Sequence, residues 1–153
     1  MKILITSGGT SQPIDSVRSV TNRSTGQLGT FVARQFLKNG HEVTLVTTQT
    51  AIKPEDHPAL TLVLVETVSD VQEILERLVP VHDALIHAMA ISDYDPIRMV
   101  PFAEVAQADD LTPFLEKEDQ IQKISSKSDV QVLFLQKHLK SFPWSRPGTL
   151  IFC

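Results

Sequence analysis

Lys2-Ile3-Leu4-Ile5-Thr6-Ser7-Gly8-Gly9-Thr10, followed by Pro13-Ile14-Asp15-Ser16-Val17-Arg18-Ser19-Val20-Thr21-Asn22-Arg23-Ser24-Thr25-Gly26-Gln27-Leu28-Gly29, is the stretch that decides the fold of this 153-residue chain. Lys2 to Thr6 reads as an apolar run, the pattern of a strand covered on both faces of a parallel sheet. Ser7 to Thr10 then leads through a polar connection into a helix, the junction at which α/β folds receive phosphate. Gly8 and Gly9 permit close backbone approach and expose N–H groups, although two glycines alone fit a tight turn equally well. A dinucleotide fingerprint requires Gly-x-Gly-x-x-Gly directly before its helix. Here the next glycine after Gly9 is Gly26, and Glu42 stands at the start of the second strand rather than its end. Both features argue against an ordinary NAD site.

Beyond this stretch, Ser24-Thr25-Gly26-Gln27 reads as a helix start capped by Ser24, with Leu28, Phe31, Val32 and Phe36 at helical spacing and Asn39-Gly40 as the stop. Glu42–Thr48 is rich in β-branched residues and reads as the second strand, Leu60–Val65 as the third and Asp83–Ala88 as the fourth. Ser69-Asp70-Val71-Gln72 can cap a helix whose apolar face is Val71, Ile74, Leu75 and Leu78, ended by Pro80. Strands alternating with helices predict an α/β, Rossmann-like three-layer fold with a mostly parallel sheet. From Pro96 to Lys123 the periodicity fades, which predicts an irregular flap, and Val130–Leu135 restores a strand.

The composition narrows the function. Fourteen basic and eighteen acidic residues give a net charge of −4, which argues against nucleic acid or a membrane surface as partner. No window holds the ~20 apolar residues of a membrane span, and Met1 leads straight into a strand with no signal-peptide pattern, so a cytoplasmic protein is expected. The only cysteine is Cys153, which leaves no intramolecular disulfide and no thiolate metal cluster.

Several residues can carry chemistry. Asn22, Ser24, Thr25 and Gly26 put an amide, two hydroxyls and bare backbone at a helix entrance, where partial positive charge favours an anion. Arg18 and Arg23 add charge there or are simply solvated. His87 ends an apolar strand and reads first as a packed, hydrogen-bonded histidine. Asp93, beyond the same strand, stands where parallel sheets form their ligand crevice, or else caps Tyr94-Asp95-Pro96. By composition alone Lys123 is an exposed lysine.

Taken together, these motifs resemble the phosphopantothenate–cysteine ligase (phosphopantothenoylcysteine synthetase) family. Ser-Gly-Gly-Thr, Pro-Ile-Asp-x-Val-Arg and Thr-Asn-x-Ser-x-Gly-x-x-Gly, from Ser7 to Gly29, reproduce the family's N-terminal signature. Ala88-Met89-Ala90-Ile91-Ser92-Asp93-Tyr94 resembles its Ala-Ala-Val-Ser/Ala-Asp-Tyr segment, with Met89 replacing a small residue, and Lys123-Ile124 matches the Lys-Ile of its flap. The resemblance implies a ligase of coenzyme A biosynthesis. Phosphopantothenate is activated by a nucleoside triphosphate, CTP with Mg²⁺ in bacterial members, and the acyl-nucleotide then passes its acyl group to cysteine. On this pattern Asn22 holds the intermediate and Lys123 neutralises developing phosphate charge. Gly8, Gly9, Thr10, Ser24, Thr25 and Gly26 form the phosphate cradle, while His87, Ala88, Met89 and Asp93 line the nucleotide pocket. A homodimer of the stand-alone type, without a decarboxylase half, is implied.

The resemblance covers residues 1–137, read as one synthetase domain that includes the 96–123 flap, and stops there. Residues 138–153 read as an anomalous tail, containing Trp144 and no acidic residue. Two readings of it stand: a genuine, divergent tail, or a reading-frame shift, since with one choice of codons an added base in an adenine run at Lys137 turns the following residues into Thr-Pro-Lys-Val-Ile-Ser-Met. The C-terminal part of the family fold is then missing. Two rivals stand beside an active ligase. One is a truncated fragment that binds phosphopantothenate or dimerises without turnover. The other is an NAD(P)-dependent oxidoreductase, which needs Tyr-x-x-x-Lys where Tyr94 is followed by Arg98.

Overall fold

A computed structural model describes residues 1–117, 124–125 and 127–138, and the backbone of 150–152. The chain divides into two compact units. The first comprises residues 1–11, 21–91 and the described part of 141–153; the second comprises 12–20 and the described part of 92–140.

The first unit is built on strand β1 (Lys2–Gly9), which is buried from Ile3 onward. It lies between β4 (Glu42–Thr47) and β6 (Ala84–Ala90), parallel to both, with Ile3 opposite Val43 on one side and Ala84 on the other. β5 (Leu60–Leu64) pairs with β4, and β9 (Leu150–Phe152) with β6, giving the all-parallel order β5-β4-β1-β6-β9. Because side chains alternate along a strand, β1 feeds two cores. Ile3 and Ile5 pack with Val43, Leu45 and the α1 (Gln27–Lys38) residues Ala33 and Leu37. Leu4 packs on the other face with Val46, Leu85, Met89 and the α2 (Val68–Leu78) residues Val71 and Leu75. The predicted three-layer α/β fold is therefore present.

Both helices begin differently from the sequence reading. α2 is capped by Thr67, whose hydroxyl accepts the Asp70 N–H at 3.1 Å while the Asp70 carboxylate accepts the Thr67 N–H at 2.8 Å, a complete capping box. Ser69, expected as the cap, lies inside the helix. α1 buries Gly29, Thr30, Ala33 and Leu37, whereas Leu28 and Phe31, expected in the core, are 65% and 61% exposed. Small residues face the sheet here because the helix start lies too close to β1 for larger ones.

In the second unit β7 (Tyr94–Pro101) pairs antiparallel with β8 (Gln131–Lys137), Tyr94 opposite Lys137 and Pro101 opposite Gln131. Residues 96–101, expected in an irregular flap, are thus strand, followed by α3 (Phe102–Ala106) and a 3₁₀ turn at Thr112–Leu115. Two prolines in a two-stranded ribbon hide the strand signal, since each removes a ladder donor. Phe114 stacks on Phe134 with ring centroids 5.5 Å apart, and the Arg98 guanidinium lies 5.4 Å from the Phe114 centroid. The tail, expected to be anomalous, contributes β9 to the edge of the parallel sheet.

A small hairpin of β2 (Ser11–Pro13) and β3 (Ser19–Thr21) carries the Asp15-to-Arg18 stretch at its tip.

Candidate functional site

At the end of β1 the chain leaves the sheet and returns against itself. The Thr10 N–H donates to the Ala90 carbonyl at 3.0 Å, and the Thr10 carbonyl accepts the Asn22 N–H at 3.0 Å. Asn22 is thereby fixed at the C-terminal ends of β1 and β6, the edge at which parallel sheets hold ligands. Its side-chain amide is half-buried and makes no hydrogen bond among the described residues. A Cβ on Gly9 would stand 2.0 Å from the Asn22 carbonyl oxygen. Gly8, at φ +91°, packs so closely that its Cβ would stand 2.7 Å from Thr48 Oγ1. These two glycines allow a close approach of protein to protein.

The start of α1 carries groups that suit an anion. Gly26 is the N-cap in a left-handed conformation, φ 73°, with no side-chain cap and no acidic residue in the first turn. Ser24, expected as the cap, stands two residues too early. The Gln27 N–H reaches only Thr25 Oγ1, at 3.4 Å. Unsatisfied first-turn N–H groups and the positive end of the helix dipole both favour a bound anion. The start is seated on β1 by Ser7, whose hydroxyl donates to the Gly26 carbonyl at 3.0 Å, and by Gly29, whose Cβ would stand 2.4 Å from Ser7 Oγ.

On β6, His87 Nδ1 shares a 2.7 Å hydrogen bond with Thr6 Oγ1, which also accepts the Ala88 N–H at 3.2 Å. His87 is half-buried, in keeping with its first reading as a packed histidine. Met89 is only 6% exposed and its side chain is taken up by the core with Leu4 and Val46, so the edge of β6 offers its backbone rather than that side chain.

In the second unit Asp93 is exposed, and its carbonyl accepts the His138 N–H at 2.8 Å. The Asp95 carboxylate contacts the side chains of Gln12 and His138. Asp15 accepts N–H groups from Val17 and Arg18, both at 2.9 Å, and from Ile124 at 3.0 Å. The Val17 bond above all, against the opposing effect of burial and with help from Ile124 and Arg18, holds its carboxyl below the usual 3.8. Lys123 lies outside the described residues.

Asp15, Gln12 and Asp95 were not singled out by the sequence. The one signal was Asp15 itself, an acid two and three residues before the N–H groups it accepts, as in an Asx turn. Tyr94 lies on a strand with Arg98, which removes the one-turn helical proximity that a Tyr-x-x-x-Lys pair requires. A separate hollow of about 310 Å³, lined by Lys2, Glu42, Thr44, Pro58 and His82 among others, sits at the opposite, N-terminal ends of the strands.

Residues 1–135 match the DNA/pantothenate metabolism flavoprotein C-terminal domain. The chain belongs to this family. A flavoprotein of the family from Streptococcus pneumoniae has a crystal structure that superposes with a TM-score of 0.85 at 47% identity, over 92% of this chain and 61% of its own. The coenzyme A biosynthesis bifunctional protein CoaBC of Mycobacterium bovis is 36% identical over 98 residues, 64% of this chain and 23% of its own. That of Escherichia coli K12 is 29% identical over 115 residues, 73% of this chain and 28% of its own. The chain thus spans about a quarter of the length of these curated relatives. The resemblance carried by Ser7 to Gly29 is borne out at the level of the family.

Proposed function

We propose that this member of the family joins 4′-phosphopantothenate to L-cysteine, with CTP as co-substrate. The carboxylate of phosphopantothenate attacks the α-phosphorus, pyrophosphate leaves, and an acyl-nucleotide forms. The cysteine amine then attacks the acyl carbon, loses its proton and displaces CMP. The observation that carries the reading is the uncapped, carboxylate-free start of α1 beside Asn22. Nothing in its first turn repels a phosphate, whereas the start of α2 is closed by its own capping box.

Asn22 holds the acyl-nucleotide through its side-chain amide, which can donate to a phosphoryl oxygen and accept from a hydroxyl. Ser24, Thr25 and Gly26, with the first-turn N–H groups, take the phosphate; Gly8, Gly9 and Thr10 hold the crossing that places them. His87, Ala88, Met89 and Asp93 are assigned to the nucleotide. Lys123 neutralises charge that grows on phosphorus, the kind of stabilisation that dominates such reactions. Magnesium is proposed to arrive on the nucleotide. Among the described residues no three His, Cys, Asp or Glu side chains converge, which does not fit a protein-held ion, and no step is assigned to it.

A cytoplasmic homodimer completes the proposal. Among the described residues no helix is long and apolar enough to cross a membrane.

The test is product formation from phosphopantothenate and cysteine by the chain as it stands, followed by mass spectrometry with CTP and, separately, ATP. Amide and CMP in the CTP arm support the reading, and activity confined to ATP corrects the nucleotide. Binding of phosphopantothenate without product identifies a fragment that binds but does not turn over.

A further inference from the structure

Thr30 lies in the first turn of α1, is only 2% exposed, and directs its hydroxyl out of the helix. A helical threonine can bond back to the carbonyl four residues earlier, which here is that of Gly26. That carbonyl is already engaged: it accepts the Thr30 N–H at 3.0 Å and the Ser7 hydroxyl at 3.0 Å. The Thr30 hydroxyl donates instead, at 2.6 Å, to the carbonyl of Ile52 in the loop that follows β4. The Ile52 N–H in turn donates to the Thr25 carbonyl at 2.9 Å. Both backbone polar groups of Ile52 are thus held at the start of α1, one by Thr25 and the other by Thr30.

The loop is closed on itself as well. The Ala51 N–H donates to the Thr48 carbonyl at 3.2 Å, and the Lys53 ammonium donates to the carbonyls of Gln49 at 2.7 Å and Ala51 at 3.0 Å. A Cβ on either Gly8 or Gly26 would stand 2.9 Å from the Ala51 methyl, so the loop is seated on both glycines. In a trans peptide the C=O and N–H point opposite ways. Holding the Thr25 carbonyl towards Ile52 therefore fixes the direction of the Gly26 N–H, and holding the Gly26 carbonyl fixes that of Gln27. An anion is attracted by N–H groups and repelled by carbonyl oxygens. At this helix start the two carbonyls are turned onto protein donors.

We infer that Thr30 is a positioning residue for phosphate binding: through the Ile52 peptide it orients the Thr25–Gly26 peptide, so that the N–H groups of the α1 entrance face the anion. The inference rests on the proposed role of that entrance. It gives Thr30 no contact with substrate and makes the loop from Thr48 to Lys53 a wall of the phosphate site.

Two variants of the full chain test it, with inorganic pyrophosphate as the probe. Thr30→Val keeps the shape and removes the hydroxyl, whereas Thr30→Ser keeps the hydroxyl. In calorimetric titration Thr30→Val binds pyrophosphate at least about fivefold more weakly than the wild type, the scale of one lost hydrogen bond. Thr30→Ser stays within about twofold of the wild type. Hydrogen exchange at the Ile52 amide is at least about tenfold faster in Thr30→Val, while unchanged protection of the β1 and β4 amides shows that the sheet persists. In steady-state ligation Thr30→Val raises KM for CTP at least about fivefold and leaves kcat within about twofold, the pattern of lost binding. Equal pyrophosphate affinity in wild type and Thr30→Val overturns the inference. So does a loss that Thr30→Ser shares, or a wild type that binds no pyrophosphate. A wild type that shows both the binding and the exchange effects yet forms no product supports the inference and overturns the proposed function instead.

Discussion

Gly9 and Asn22 meet backbone to backbone: a Cβ on Gly9 would fall 2.0 Å from the Asn22 carbonyl oxygen. The obstacle is main chain, which cannot swing aside as a long side chain would. Gly9→Ala is therefore expected to destabilise the protein by about 3 kcal/mol, at the upper end of overpacking costs. Gly40→Ala is the comparison, with φ +78° but nothing within 4 Å, and loses only about 1 kcal/mol from left-handed strain. Urea denaturation of both variants measures the difference. Equal losses would show that the crossing has room to relax.

The two helix starts give a second contrast. Thr67→Ala removes the hydroxyl that accepts the Asp70 N–H and should lower stability by about 1 kcal/mol. Ser69→Ala and Ser24→Ala, which remove no cap, should each stay within about 0.5 kcal/mol. Thermal melts suffice to rank them. A Ser24→Ala loss as large as that of Thr67→Ala would mean that α1 is capped after all.

Along α1 the packing face can be mapped by truncation. Leu37, 7% exposed, should lose about 2–5 kcal/mol as Leu37→Ala. Phe31, 61% exposed, should change by no more than about 0.5 kcal/mol as Phe31→Ser. Denaturation at low protein concentration, where association does not contribute, is the measurement. A large Phe31 effect there would put that ring in the monomer's core.

Acid should weaken the fold through depressed carboxyls. Burial pushes the Asp70 carboxyl up, but bonds from the Thr67 and Glu66 N–H groups and the Thr67 hydroxyl outweigh it, so its folded value lies below the usual 3.8. A group depressed on folding contributes stability that is full above its unfolded value and lost as pH falls through the folded one. Asp15 follows the same sign, through Val17 first. Stability is thus expected to be insensitive to these groups above about pH 5 and to decline below about pH 4. The Asp70→Asn variant should show a shallower decline. An identical acid limb in wild type and Asp70→Asn would contradict the assignment.

The parallel sheet was legible because β1, β4 and β6 are apolar runs bounded by glycine, proline and polar residues. The ends of the helices were not. Thr67 and Ser69 are equally good caps as letters, and only the reach of Asp70 back to the Thr67 N–H separates them. Leu28 and Phe31 have helical spacing but the wrong azimuth, since Gly29 and Ala33 are required where α1 approaches Ser7. β7 was hidden by Pro96 and Pro101, and its partner β8 lies some 30 residues later, beyond the reach of local pattern. In the site, the family motif marked Asn22 and the α1 entrance. It gave no role to Asp15, whose meaning depends on Ile124, a contact that sequence separation conceals.

Under the proposed function, this chain activates a carboxylate with a nucleotide at the α1 entrance. The most direct test is release of pyrophosphate from CTP on addition of phosphopantothenate without cysteine, in wild type and Asn22→Ala. The account predicts release in the wild type that requires phosphopantothenate, and about 100-fold slower release in Asn22→Ala, the scale of losing one placed hydrogen-bonding group. Release at equal rates in the two proteins, or none in the wild type with either CTP or ATP, would contradict it.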